Sequence, residues 1–301
     1  MGISALFGSF VGGSDPASAT GYADHPPRVG FFTDTSVCIG CKACEVACKE
    51  WNHVPEDGLN FTGMSFDNTL GLSADSWRHV AFIEPPRQAS ALSVSEQPGR
   101  RDRDVSRNIK AGSELRWLMS SDVCKHCTHA ACLDVCPTGA LFRTEFGTVV
   151  VQEDVCNGCG YCVPACPYGV IDQRKDDGRV WKCTLCYDRL GDGMEPACAK
   201  ACPTASIQFG PLDELRDRAS LRLEQLQAGG DTEARLYGHD PNDGVGGDGA
   251  FFLLLGAPEV YGLPPDPVVT TSDLPAMWGR AALAAAGLLA GVAAMFVGAH
   301  R

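Results

Sequence analysis

The chain has 301 residues, enough to bury a sizeable core in one large or two modest domains. Its 37 acidic and 25 basic residues leave a net charge of -12, which excludes nucleic acid as a partner, since such a partner needs a basic face. The 16 cysteines are the outlier, and their grouping in tight quartets argues against a disulfide framework, because such close neighbours are better placed to share a metal centre than to pair.

In chain order, residues 1–28 read as a mobile Gly/Ser/Ala/Pro arm. MGISALFGSFVGG has no Lys or Arg ahead of its apolar patch, so it makes a poor secretory signal, and its sixth residue is Leu rather than the Ser or Thr of a myristoylation signal. The first quartet follows, Cys38, Cys41, Cys44 and Cys48, with Lys49 where the other three quartets carry Pro. Residues 49–123 contain no cysteine. Within them, His79–Ile83 alternates as a strand would, and Arg87–Gly112 is polar and charge-mixed, an expected exposed loop.

The second quartet is Cys124, Cys127, Cys132 and Cys136, and the stretch from Thr138 to Val151 predicts a hairpin turning at Glu145–Gly147. The third is Cys156, Cys159, Cys162 and Cys166; the fourth is Cys183, Cys186, Cys198 and Cys202. Cys136, Cys166 and Cys202 each open a Cys-Pro-x-small-x-aliphatic repeat, as duplicated modules would. Beyond Gly210, Leu212, Leu215, Ala219, Leu223 and Leu226 share one helical face, and Phe251–Leu255 is an apolar run too short to span a membrane. Ala281–Ala299 carries no charge and is flanked by Trp278, Arg280, His300 and Arg301. As a helix of about 28 Å it predicts a single C-terminal membrane span rather than an Ala-rich soluble helix, which would show a polar face. Gly287 and Gly291 allow close approach of another helix.

The third quartet, CNGCGYCVPACP, is the C-x2-C-x2-C-x3-C-P run of a bacterial-type ferredoxin, in which three thiolates on a tight turn bind one [4Fe-4S] cluster and the fourth serves a second cluster. Sixteen thiols suffice for four such clusters. The rival is zinc in a scaffold protein, but zinc ribbons keep two cysteine pairs well apart. His53, His126 and His129 lie near the quartets without being needed as ligands, and Lys42, Lys125 and Lys182 beside them either raise a cluster's potential or are simply solvated. The crossed fourth cysteine groups Cys124, Cys127 and Cys132 with Cys166, and Cys156, Cys159 and Cys162 with Cys136. The outer sets are then Cys38, Cys41 and Cys44 with Cys202, and Cys183, Cys186 and Cys198 with Cys48. Spacing alone leaves a sequential grouping of quartets open.

CIGCKACEVACKEWN, CKHCTHAACLDVCPTGAL, CNGCGYCVPACPYGV and KCTLCYDRLGDGMEPACAKACPTASIQFG resemble the four-cluster electron-transfer subunits of molybdenum or tungsten bis-pterin oxidoreductases. Gly63–Thr69, Ser76–Val80 and Val260–Pro264 point within that group to formate dehydrogenase beta subunits, ahead of the equivalent subunits of membrane hydrogenases. The resemblance runs from about Phe32 to the C-terminus, Arg87–Gly112 excepted, and implies the nested grouping given above. It also implies a separate catalytic bis-pterin subunit, a membrane cytochrome b and no catalytic residue in this chain. The N-terminus suggests a cytoplasmic protein, whereas the family's membrane forms can be carried across by a partner's signal, and the outer face is the expectation adopted. The expected architecture is α+β. Two pseudo-symmetric ferredoxin-like modules make up 29–210, an inner one at 114–172 nested in an outer one at 29–86 with 173–210. A docking extension at 211–274 and a transmembrane anchor at 275–301 complete it.

Overall fold

An apolar run with no polar alternation suits a strand buried on both faces, and the run at Phe251 becomes the centre of the structure. The structure, a computed structural model, describes residues 15–58, 61–63, 66–84 and 117–299; the loop expected at Arg87–Gly112 and the first half of the expected arm lie outside these. A short 3-10 turn, Ser18–Thr20, precedes strand β1, Val29–Asp34, and helix α1, Ala43–Asn52. Strands β2, Arg78–Ile83, and β3, Leu118–Val123, pair antiparallel. Helix α2, Ala131–Asp134, leads to the hairpin β4, Leu141–Arg143, and β5, Val149–Val151. Helix α3, Cys162–Ala165, leads to the small pair β6, Asp172–Gln173, and β7, Val180–Trp181. Then come helices α4, Tyr187–Gly191, and α5, Ala197–Lys200, strand β8, Ile207–Pro211, helix α6, Leu212–Ala228, strands β9, Arg235–Tyr237, and β10, Ala250–Leu254, and helix α7, Leu274–Ala299.

β8, β1, β10 and β9 form one sheet in that order, with β1 and β10 parallel and the two flanking pairs antiparallel. Every residue of β10 is buried. On one face Phe32, Phe251 and Leu253 pack against Leu212, Leu215 and Ala219 of α6, the apolar stripe expected from the sequence. On the other, Phe252 and Leu254 meet Leu118, Tyr237, Tyr261 and Leu263. Residues 15–28 depart from a free arm, because Ala17 is fully buried and Arg28 donates to the Thr128 hydroxyl at 2.7 Å and the His126 carbonyl at 2.8 Å.

The strand pairs also decide what the cysteine loops meet. β1 runs into the first quartet and β8 leaves the fourth, and their register sets Thr33 beside Ile207. The Ser206 hydroxyl closes this corner by donating to the Asp34 carbonyl at 2.7 Å. β4–β5 bridges the second and third quartets, and β6–β7 bridges the third and fourth. Helix α7 contains a stretch, Ala276–Phe296, long and apolar enough to cross a membrane, none of it buried against the rest of the chain.

Candidate metal centres

A loop that wraps a bulky inorganic core must turn its backbone sharply between two thiols. In each quartet the residue just before the second cysteine has positive φ: Gly40 (64°), His126 (47°), Gly158 (70°) and Leu185 (56°). At Gly158 glycine is also required by space, since a Cβ there would lie 2.3 Å from the Gly178 carbonyl oxygen. The Cys-Pro repeat has its own turn, with positive φ three residues after each cysteine at Gly139 (70°), Gly169 (63°) and Ala205 (52°). The proline holds its own φ and withdraws one donor, and the turn then folds later amides back onto the sulfur. The Leu141, Thr138 and Ala140 amides and the Thr138 hydroxyl favour the Cys136 thiolate enough to overcome the upward push of burial and lower its pKa. The Val170 and Tyr168 amides act in the same sense on Cys166, but burial prevails there and raises it. The first quartet lacks the proline, and α1 instead continues past Cys48 to a cap at His53.

All 16 cysteines are free thiols, and the structure brings them together in four sets drawn from different quartets. Cys38, Cys41, Cys44 and Cys202 line a cavity with Val80, Ser121 and Ile207. Cys124, Cys127, Cys132 and Cys166 line one with Lys125, His126 and Lys182. Cys136, Cys156, Cys159 and Cys162 line one with Leu141, Val151 and Val180. The fourth set is packed in the core, where Cys48 is acted on by the charges of Cys183, Cys198 and Cys186. One amide spans it, Asn52 Nδ2 lying 3.7 Å from the Sγ atoms of both Cys48 and Cys186.

Neighbouring sets act on one another through charge. Cys44 feels Cys198, Cys183 feels Cys124, and Cys132 feels Cys162. Burial raises all three thiols, with Cys132 and Cys183 reaching about 12. The exposed cysteines are Cys41 and Cys159, one in each terminal set of this series. Among the described residues no three Cys, His, Asp or Glu side chains converge closely enough to hold a single metal ion. Zinc binds four such ligands at about 2.0–2.3 Å, whereas four thiols spread around a cavity are the donor set of a polynuclear iron-sulfur centre.

Two of the three lysines and one histidine beside the cysteines prove to be interior groups, while Lys42 is half-buried and pairs with Glu45 and Asp67. Lys125 Nζ donates to the Asp122 carboxylate and to the Val123 carbonyl at 2.9 Å, and lies 5.0 Å from the Phe252 ring centroid. Lys182 Nζ donates to the carbonyls of Val149 and Cys183. His126 accepts the Val149 amide on Nδ1 at 3.1 Å; burial, then the charges of Lys182, Arg143, Arg28 and Arg78, push it well below the usual range, so it is neutral. His53 and His129 are exposed. Sequence reasoning missed Asp248, a fully buried carboxylate that accepts the Tyr168 hydroxyl at 2.8 Å and that burial pushes up to about 8. It also gave Arg78 no role beyond its place in Ser76–Val80. That guanidinium is buried at 2% exposure, 4.9 Å from the Phe31 ring centroid. Burial acts to lower it, and the thiols of Cys198, Cys44, Cys183 and Cys48 outweigh that and raise it.

Comparison with known proteins places residues 37–140 and 115–212 each in a match to the 4Fe-4S dicluster domain family. The chain is 40% identical over 273 residues to the iron-sulfur subunit of the nitrate-inducible formate dehydrogenase of Escherichia coli (strain K12), covering 89% of this chain and 83% of that subunit. It is 39% identical over 254 residues to the formate dehydrogenase iron-sulfur subunit of Haemophilus influenzae, covering 83% of this chain and 72% of that one. The B subunit of the anaerobic dimethyl sulfoxide reductase of Escherichia coli (strain K12) is 36% identical over a shorter 196 residues, covering 64% of this chain and 77% of that subunit.

Proposed function

Because the protein belongs to the iron-sulfur subunits of formate dehydrogenases, we propose that it is the electron-transfer subunit linking a catalytic bis-pterin, formate-oxidising partner to a membrane cytochrome b and quinone. The observation that carries this is the gathering of the thiols into cross-quartet sets, three of which line cavities of their own, with Cys41 and Cys159 exposed in two of them. We assign one [4Fe-4S] cluster to each set: Cys38, Cys41, Cys44, Cys202; Cys48, Cys183, Cys186, Cys198; Cys124, Cys127, Cys132, Cys166; and Cys136, Cys156, Cys159, Cys162. Bound there, such clusters supply reversible one-electron chemistry whose potential follows charge, hydrogen bonds and exposure.

The chain's own residues do the rest. Cys44, Cys48, Cys183, Cys186 and Cys198 are buried away from water. Backbone amides donate to sulfur at the Cys-Pro turns, and Lys125 and Lys182 are buried beside the thiols. We read 114–172 as an inner two-site module nested in a pseudo-symmetric outer one, 29–86 with 173–210. Residues 211–274 then form a partner-docking extension and 275–301 the membrane anchor.

The direction of mounting comes from the chain's exit. Val269 packs with Ala131 and Ala165, and the Thr271 hydroxyl donates to Asp134 at 2.6 Å, so the lead into α7 rests on the helix that carries Cys132. On that basis we propose that the sets of the second and third quartets lie toward the membrane and the Cys41 end toward the catalytic partner. We adopt the outer face for the thiol-bearing region. Added protease should digest it in right-side-out vesicles, and protection there reverses that assignment.

The decisive experiment purifies the chain with its partners. About sixteen iron and sixteen acid-labile sulfide per chain are expected, with EPR signals that appear on adding formate. Zinc without sulfide would remove the relay, and reduction by hydrogen but not formate would transfer it to a hydrogenase.

A further inference from the structure

The thiol sets make no use of the arginine in Ser76-Trp-Arg-His-Val80, yet it is among the most deeply buried charged groups of the protein, at 2% exposure. β2 sets Arg78 opposite Val123, the residue before Cys124. Its Nη1 donates to the Ser121 carbonyl at 3.3 Å and to the Ser121 hydroxyl at 3.1 Å. That hydroxyl in turn lies 3.2 Å from Cys44 Sγ. The Phe31 ring covers the guanidinium at 4.9 Å. The fork is thus held on one side, while Nε and Nη2 have no hydrogen-bond partner. Among the described residues no carboxylate pairs with it. Phe31, the ring it lies over, belongs to one buried cluster with thiols of two different sets, Cys44 of one and Cys198, Cys183 and Cys48 of the next, and the charges of these four act on it.

A buried cation with unused donors destabilises a fold unless something negative faces it. A cubane held by four thiolates is net negative and gains a further negative charge on reduction. Through a low-dielectric interior a fixed cation stabilises that reduced state, and N–H donors to sulfur act in the same sense. We propose that Arg78 is a positioning cation shared by the Cys38–Cys202 and Cys48–Cys198 sites. Its free Nε and Nη2 donate to sulfur at both and hold the two outer redox couples at higher potential than the thiols alone would. This rests on the cluster assignment made above. Arginine is specified over lysine because one edge of the planar fork is already spent on Ser121 while the other stays free.

The test is redox-poised EPR on the purified complex carrying Arg78→Met or Arg78→Lys, with iron and sulfide counted on each sample. With all clusters retained, Arg78→Met should lower the reduced-to-oxidised ratio of both outer couples roughly tenfold at fixed ambient potential, about 59 mV for a one-electron couple. The two inner couples should move far less, and Arg78→Lys should recover part of the loss. Four full clusters with unchanged potentials in Arg78→Met overturn the proposal. If Arg78→Met does not assemble, the wild-type complex grown with 15N-guanidino arginine decides. Pulsed EPR should find a 15N coupling on the outer signals that Arg78→Lys removes, and its absence overturns the proposal. A wild-type complex without sulfide would instead overturn the cluster assignment itself, a failure the metal count separates from the first.

Discussion

Ala205 stands at φ 52° in a turn where its two sister repeats carry Gly139 and Gly169. The left-handed region costs an alanine about 1–2 kcal/mol, and part of that returns to a glycine as lost chain entropy. Ala205→Gly should therefore stabilise the protein by about 0.5–1 kcal/mol, measured as a higher denaturation midpoint at unchanged iron content. Cys166 makes the opposite kind of case. It stands in the third quartet but lines the cavity of Cys124, Cys127 and Cys132. Cys166→Ala should damage the cluster held there, and loss of only the Cys156–Cys162 signal would mean that the grouping is sequential after all. At this scale the sequence speaks clearly about thiols, whose spacing is itself the chemistry. It is silent on Lys125 and Arg78. Adjacency to a cysteine, or a place in a strand, fits a solvated cation as well as a buried one. Phe252 and Phe31, far away in the chain, are what make these two interior.

Among elements, the pattern carried furthest where contacts are local. The strand at His79–Ile83, the β4–β5 hairpin and the amphipathic α6 all follow from short-range alternation or helical spacing, and all are present. The central sheet does not follow, because β1 and β10 are parallel neighbours joined across most of the chain, and no local period records that partnership. The grouping of thiols shares this limit. Spacing left a sequential grouping open, and it is the long-range β1–β8 pair that sets Cys202 beside Cys38. α6 supports this sheet from the face opposite Phe31, its apolar stripe packing on Phe32, Phe251 and Leu253. Leu215 is fully buried in that contact. Leu215→Ala should cost about 2–5 kcal/mol in unfolding free energy while leaving the EPR spectrum of the assembled protein unchanged. Altered spectra would mean that the helix bears on the cluster sites directly.

For the whole molecule, the contrast lies between a thiol-bearing body with its own core and a helix that lends it nothing. None of Ala276–Phe296 is buried against the body, so a chain ended after Asp273 should leave the membrane fraction and still carry about sixteen iron. Loss of iron on that truncation would show the helix to be structural. The apolar composition made this element legible from sequence at once. The place where it joins the body, beside Asp134, was not, because a single hydroxyl-to-carboxylate contact leaves no pattern.

The β1–β8 pair also fixes an order in time. A ribosome delivers the first quartet early, yet two of its sites stay incomplete until Cys183 to Cys202 and then β8 have emerged. Under the assignment proposed above, the two inner sites draw only on the second and third quartets, so all of their thiols emerge first. Cys38, Cys41, Cys44 and Cys48 meanwhile wait for partners at the far end of the thiol-bearing region. Synthesis thus completes the inner ligand sets before the outer ones, although the chain begins with an outer one.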